Sequence, residues 1–339
     1  MIEVKYLVHS KIEKDQWDQC ICKASNRLVY ALSWYLDVVS PQWEAIVVVK
    51  GGKYSVCFPL PVKRKLKQKY ILHPYFCQQL GLFYQEVPSQ LLINEVLEKL
   101  FQEFAYIPRM SFNVGNTFAF MRLPQLRLFT HETHLLPLNK PYQQLRSNYH
   151  RDRRYRLKRA IKQNLDMEAS DDIEPLINIF LKDTAQKIPG ASDDHNYSLF
   201  RRVFKVVQAN GRYELYYTKD KAGNYTSGCW FVFYHHTIIY LFNAATNEAR
   251  NENGRTLIID HIIRKYQNTD YVLDFESPEK ESISSFYASF GSIPTPFYQI
   301  YYNNLPAVIR QTHRAKIKIH RQLLQWLRPD HPLPNIQLP

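Results

Sequence analysis

Tyr271-Val-Leu-Asp-Phe-Glu-Ser277 and, shortly after it, Ser285-Phe-Tyr-Ala-Ser-Phe-Gly291 are the stretches on which the fold is decided. Residues 271–275 read as a buried strand that carries Asp274, with Glu276 just beyond its end. Side chains two apart on a strand share a face, so the two carboxylates are expected side by side. Working back, Ile258, Ile259, Ile262, Ile263 and Tyr266 recur at helical spacing over 256–266, and 237–243 reads as another strand. Before that comes a hairpin, 213–218 with 227–234, whose turn holds Lys219-Asp-Lys-Ala-Gly-Asn224. Helical stretches at 173–185 and 199–209 precede the hairpin.

The first half repeats this order. A helical stretch at 17–39 is followed by the hairpin Ala45-Ile-Val-Val-Val-Lys-Gly-Gly-Lys-Tyr-Ser-Val-Cys-Phe58, turned by Gly51-Gly52. A strand near 70–76 comes next. Ile93, Val96, Leu97, Leu100, Phe101 and Phe104 then mark one face of a helix over 91–104, and 110–114 reads as a short strand. Matching elements lie roughly 160 to 170 positions apart. The prediction is an α+β protein made of two similar units in tandem.

Length and composition agree with it. A chain of 339 residues with 45% hydrophobic and 22% charged residues is long enough for two domains and too apolar for global disorder. No apolar run approaches the ~18 residues of a membrane span, and the N-terminus lacks the layout of a secretory signal, so a cytoplasmic protein is expected. Five scattered cysteines suit buried free thiols better than a disulfide framework. The adjacent His235 and His236 would face opposite ways on a strand, so no metal is expected. Neither a GxGxxG nor a P-loop motif occurs, which argues against dinucleotide and P-loop nucleotide binding.

Positive charge is concentrated. The stretches 63–69, 146–162 and 310–321 together carry +17 of a net +13, leaving −4 elsewhere. The richest, Arg151-Asp-Arg-Arg-Tyr-Arg-Leu-Lys-Arg-Ala-Ile-Lys162, reads as a helix with a narrow apolar face at Leu157, Ala160 and Ile161. Arg151, Arg153, Arg154 and Lys158 are candidate contacts to phosphate or nucleic acid, the other reading being a solvated helix face. The basic tail, 309–339, reads as an amphipathic helix that docks on the body.

Residues 240–291 resemble the acyl-transfer half of the GNAT superfamily: a strand, a phosphate-binding turn opening a helix, a strand, and a helix ending in Phe290-Gly291. Leu273-Asp-Phe-Glu-Ser277 followed by Ser-Phe-Tyr-Ala-Ser-Phe-Gly is similar to the Fem-type aminoacyltransferases, which are tandem GNAT-like proteins. Ser33-Trp34, Phe58-Pro-Leu-Pro61 and His73-Pro-Tyr-Phe-Cys-Gln-Gln-Leu-Gly81 look like landmarks of the same group. The resemblance implies two GNAT-like domains, 1–138 on the acceptor side and 139–308 for acyl transfer, each a mixed, largely antiparallel sheet flanked by helices. It also implies an acceptor cleft between the domains, lined by Tyr75 and Gln78. The usual acyl-CoA turn is Gln/Arg-x-x-Gly-x-Gly/Ala. Here its counterpart is Asn251-Glu-Asn-Gly254-Arg-Thr256, which keeps only the central glycine. Arg255 could supply the missing attraction for phosphate and Thr256 could cap the helix, with Asn243 at the end of the preceding strand. Fem-type proteins lack a good CoA turn and use aminoacyl-tRNA, so both donors stay open.

Transfer in such a fold is a direct attack by an amine on a thioester or ester carbonyl, with no covalent enzyme intermediate. Glu276 is the preferred base, with Asp274 beside it, and Tyr287 matches the tyrosine that often acts as general acid. Three functions follow: an acyl-CoA-dependent N-acyltransferase acting on a small amine or amino acid, an aminoacyl-tRNA-dependent ligase acting on a peptidoglycan precursor or peptide, and a non-catalytic nucleic-acid-binding module. The last has few aromatics within the basic stretches to stack bases.

Overall fold

The computed structural model describes residues 2–65, 68–117, 124–183, 185, 194–276 and 280–311. The chain opens with strand β1 (Ile2–Leu7), helices α1 (Lys14–Lys23) and α2 (Ser33–Val39), and the hairpin β2 (Glu44–Lys50) and β3 (Lys53–Leu60). Gly51 and Gly52 both take positive φ (58° and 76°), as a two-residue hairpin turn requires. A short ribbon, β4 (Val62–Lys65) and β5 (Gln68–Ile71), leads into an irregular loop. β6 (Phe83–Tyr84), α3 (Gln90–Glu103), β7 (Tyr106–Ser111) and β8 (Leu126–Pro137) follow. Next come α4 (Tyr142–Ser147), α5 (Arg151–Lys162), β9 (Asp166–Ala169), α6 (Glu174–Asp183) and α7 (Asp194–Asn210). The meander β10 (Arg212–Lys219), β11 (Tyr225–Tyr234) and β12 (Thr237–Ala245) is followed by α8 (Asn247–Glu252) and α9 (Gly254–Lys265). β13 (Val272–Asp274), α10 (Glu281–Ala288) and β14 (Ile293–Asn303) complete the described elements. From residue 312 on, the expected basic tail helix lies outside the described residues. Among the described residues no helix is long and apolar enough to cross a membrane.

A four-stranded sheet, β1-β2-β3-β6, and an eight-stranded one, β7-β14-β8-β13-β12-β11-β10-β9, carry the fold. An isolated parallel bridge from Leu80 to Phe112 continues the smaller sheet towards β7. The larger sheet is antiparallel except between β12 and β13, which are parallel. The order is close to palindromic about the β14–β8 pair. Each half runs through a meander to a parallel neighbour and then to a strand supplied by the other part of the chain: β14 pairs with β7, and β8 with β13.

The helices lock the halves together. Trp17, Tyr35 and Leu36 from α1 and α2 share one core with Ile177 of α6 and Phe200 and Val203 of α7. Fully burying side chains of this kind is worth about 1.5–3 kcal/mol each, so the interface is part of the hydrophobic core rather than a loose contact between domains. The helical stretch read at 17–39 is broken into α1, a single 3-10 turn (Val29–Ala31) and α2. The strand expected near 70–76 ends at Ile71, because Pro74 cannot donate to a ladder and Phe76 takes a left-handed φ of 58°.

That irregular loop is held by His73. Ser111 N–H donates to its Nδ1 (3.3 Å), so Nε2 carries the proton and donates to the Cys77 carbonyl at 2.8 Å. Burial, with Arg109 nearby, lowers its pKa to about 3. The sign of the pH dependence follows. Above the unfolded value of about 6.5 the contribution is fully present. As pH falls from there to about 3 the unfolded chain binds a proton that the folded one refuses, costing roughly 1.4 kcal/mol per unit. Denaturant titration between pH 7 and 5 should show this loss in the wild type and a smaller one in His73→Gln; equal slopes would remove His73 from the account.

Candidate active site

Beyond Ile239 and Asp274 the two parallel strands part, while β12 continues to Ala245. Next to this opening, between the halves, lies a cleft of about 610 Å³. Its floor comes from the strands at the pseudo-symmetry axis: Arg109 and Ser111 of β7, His131 and Glu132 of β8, Phe297 and Gln299 of β14. The His73 loop forms one wall, with Tyr75 and Gln78, and Leu241, Glu276 and Lys280 form the other. The structure therefore brings Tyr75, Gln78 and Glu276 together from positions about 200 residues apart in the chain.

Glu276 follows β13 with a positive φ of 48°, so strand alternation no longer applies to it. Its backbone N–H donates to Asp274 Oδ1 (3.0 Å), and Thr133 Oγ1 donates to the same oxygen (2.5 Å). Asp274 is thus spent as a bracket behind the cleft and does not line it, unlike the side-by-side pair expected from the strand. Tyr30 O–H donates to Glu276 Oε1. Burial foremost, and then the Asp274 charge, push the Glu276 carboxyl well above the ordinary range, against the lowering effect of the Tyr30 bond.

The second cluster lies at the strand opening. Arg255 Nη1 donates to Asn243 Oδ1 at 2.7 Å, and the Asn243 amide meets the Tyr287 hydroxyl. Tyr287 is buried and stacks on Phe275 (4.9 Å between ring centres). Burial pushes its phenol up to about 12. Asn251 is exposed on α8, a helix that occupies most of the expected turn and ends at Asn253 in a left-handed conformation (φ 64°). Gly254, Arg255 and Thr256 open α9, and their N–H groups donate to no acceptor among the described residues. A side chain at Gly254 would meet Ser227 Oγ at 2.2 Å and Thr218 Oγ1 at 2.5 Å, so glycine is required here by packing of helix on sheet.

On α5, Arg151, Arg154 and Lys158 are exposed, whereas Arg153 is only 5% exposed. Arg153 Nη1 donates to Thr256 Oγ1 (2.6 Å) and Nε to Ser289 Oγ (2.8 Å), with Phe286 and Phe290 packed over its guanidinium. Burial lowers its pKa to about 10. It is therefore a pin between α5, α9 and α10 rather than a member of the solvated stripe. Sequence reasoning also missed Tyr30, Thr133 and the bracket of Tyr142 and Tyr149 on buried Asp260 (2.8 and 3.0 Å). Nothing local in the sequence signals these long-range partners.

Residues 151–277 match the family model described as an acetyltransferase (GNAT) domain. Among solved structures, FemX resembles the chain with a TM-score of 0.57 at 15% identity, over 89% of this chain and 98% of its own. L-PGS from Bacillus licheniformis gives 0.52 at 9% identity, over 87% and 94%. A tandem GNAT protein from the clavulanic acid biosynthesis pathway gives 0.50 at 11%, over 90% and 100%. No curated protein matches the chain in sequence. Residues 151–277 thus match a GNAT domain, and the chain as a whole shares the tandem GNAT-like fold of these structures.

Proposed function

We propose that the protein is an N-acyltransferase that moves an acyl group from acyl-CoA to the amine of a small molecule or amino acid. The observation that carries this reading is Glu276, a carboxyl held above its ordinary range at the wall of a cleft beside the parted strands. The donor's phosphates would meet the N–H groups at the start of α9 and the Arg255 guanidinium, with Asn243 and Tyr287 at the acyl end. The acceptor amine enters the cleft, where Arg109 and Lys280 suit a carboxylate on the same molecule. Glu276 takes one amine proton as nitrogen attacks the thioester carbonyl. The tetrahedral intermediate then expels CoA thiolate, and Tyr287 protonates it. Tyr287→Phe should lower kcat about tenfold with little change in donor affinity; an unchanged kcat would remove the phenol from the mechanism.

A second reading, aminoacyl-tRNA as donor, has its own support. Arg151, Arg154, Arg156, Lys158, Arg159 and Lys162 are exposed on α5, and the same helix reaches the start of α9 through Arg153. Those cations would follow a longer phosphate backbone beyond the site. Calorimetric titration with acetyl-CoA, longer acyl-CoAs and deacylated tRNA at two salt concentrations separates the readings. Micromolar CoA binding supports the first. Binding of tRNA alone, weakening steeply with salt, supports the second, and an aminoacyl-transfer assay then tells a ligase from a silent binder.

A further inference from the structure

The acyl-transfer reading leaves open what the first half contributes to the chemistry, and the surroundings of Glu276 bear on it. Two of its contacts fix backbone: the Glu276 N–H bond to Asp274, and the Thr133 bond that holds Asp274 in place. Only Tyr30 holds the carboxylate itself, through Oε1, and no other described residue bonds to either carboxylate oxygen. Tyr30 lies in the single 3-10 turn between α1 and α2, is 2% exposed, and packs edge-on against Tyr35 at 5.4 Å. It is thus a rigid first-half donor aimed at the proposed base of the second half. We propose that Tyr30 is the positioning residue of this site: its phenol clamps Oε1 of Glu276 and turns Oε2 to the cleft, where it takes the acceptor's proton. This inference rests on the acyl-transfer reading. The first half is then a working part of the second half's active site as well as the acceptor's wall.

Other ionisable groups face Glu276 from the elements around it. Asp274 of β13, Tyr35 of α2, Cys77 of the His73 loop and Tyr287 of α10 are close enough to interact. Arg109, His131, Glu132 and Lys280 line the same cleft. Of these groups only Tyr30 is a donor bonded to the carboxylate, so its removal has a distinct signature: loss of a donor to the ionised form raises the Glu276 pKa.

The test is a carbon-13 NMR titration of the full-length protein labelled at glutamate Cδ, with Glu276 assigned by its absence in Glu276→Gln. Tyr30→Phe should move the Glu276 midpoint up by about one pH unit, while Tyr35→Phe, whose hydroxyl bonds the Phe76 carbonyl instead, should leave it in place. In acetyl transfer from acetyl-CoA, Tyr30→Phe should lower kcat by about tenfold with KM values within about twofold. A folded Tyr30→Phe with an unmoved midpoint overturns the clamp. If that variant does not fold, wild-type protein labelled at tyrosine Cζ decides: one tyrosine signal must follow the Glu276 midpoint, and none doing so overturns the proposal. A Glu276→Gln protein with wild-type turnover would instead remove Glu276 as the base and overturn the positioning role. A wild-type protein that transfers no acyl group from acyl-CoA would sink the acyl-transfer reading and leave the Tyr30–Glu276 bond measurable by the same spectra.

Discussion

Replacing Glu276 with glutamine should lower kcat for acyl transfer by about 10² to 10⁴, with KM for both substrates nearly unchanged. Glutamine keeps the size of the side chain and can still accept from Tyr30, so the cleft stays built; what it lacks is a site for the amine proton. The pH profile carries a second expectation. Burial and the Asp274 charge hold the Glu276 carboxyl protonated to higher pH than an ordinary glutamate, so turnover should rise as pH increases through that raised value. The rising limb should be missing in Glu276→Gln. Measuring kcat and kcat/KM from pH 5 to 9 for both proteins checks both points. If the variant keeps the wild-type rate and the same rising limb, another group is the base.

Removing the Arg255 guanidinium should weaken acyl-CoA binding by roughly 10- to 100-fold, from a charge-assisted hydrogen bond worth about 1.5–3 kcal/mol. The sequence departs from the usual turn at its outer positions, and α8 uses the backbone N–H of Asn253 within its own last turn. Three N–H groups at the start of α9 therefore have to act with a side chain. Arg255 also fixes Asn243, and Asn243 meets the Tyr287 hydroxyl, so Arg255→Ala should lower kcat as well. Arg255→Lys restores the charge without the planar fork and should recover only part of the affinity. Calorimetry on the three proteins at two ionic strengths is decisive, since the charge contribution must shrink with salt. Equal affinities across the set would place the donor's phosphates elsewhere.

The meanders, α3, α9 and β13 were legible because their apolar residues keep a single period, as at Ile258, Ile259, Ile262 and Ile263. The strands at the pseudo-symmetry axis were not. β14 carries Pro294 and Pro296, and β8 reads Thr130-His-Glu-Thr-His134, neither of which has the alternation of a half-buried strand. Their polarity has a cause visible only in three dimensions: His131, Glu132 and Gln299 line the cleft. Tyr75, Gln78 and Glu276 were found through family likeness, whereas Tyr30 and Thr133 act on the site across about 250 and 140 residues of chain. Arg153 was misplaced because charge suggested solvent, while its helical position puts it on the buried side with Leu157 and Ala160.

The exchange of outer strands has a consequence for biosynthesis. The neighbour of β7 within the larger sheet is β14, residues 293–303, so a nascent chain holds an unfinished edge from the synthesis of β7 until β14 emerges. Each half lacks a strand that the other supplies, and a gene split between them would yield two fragments, each exposing an open sheet edge until it met the other.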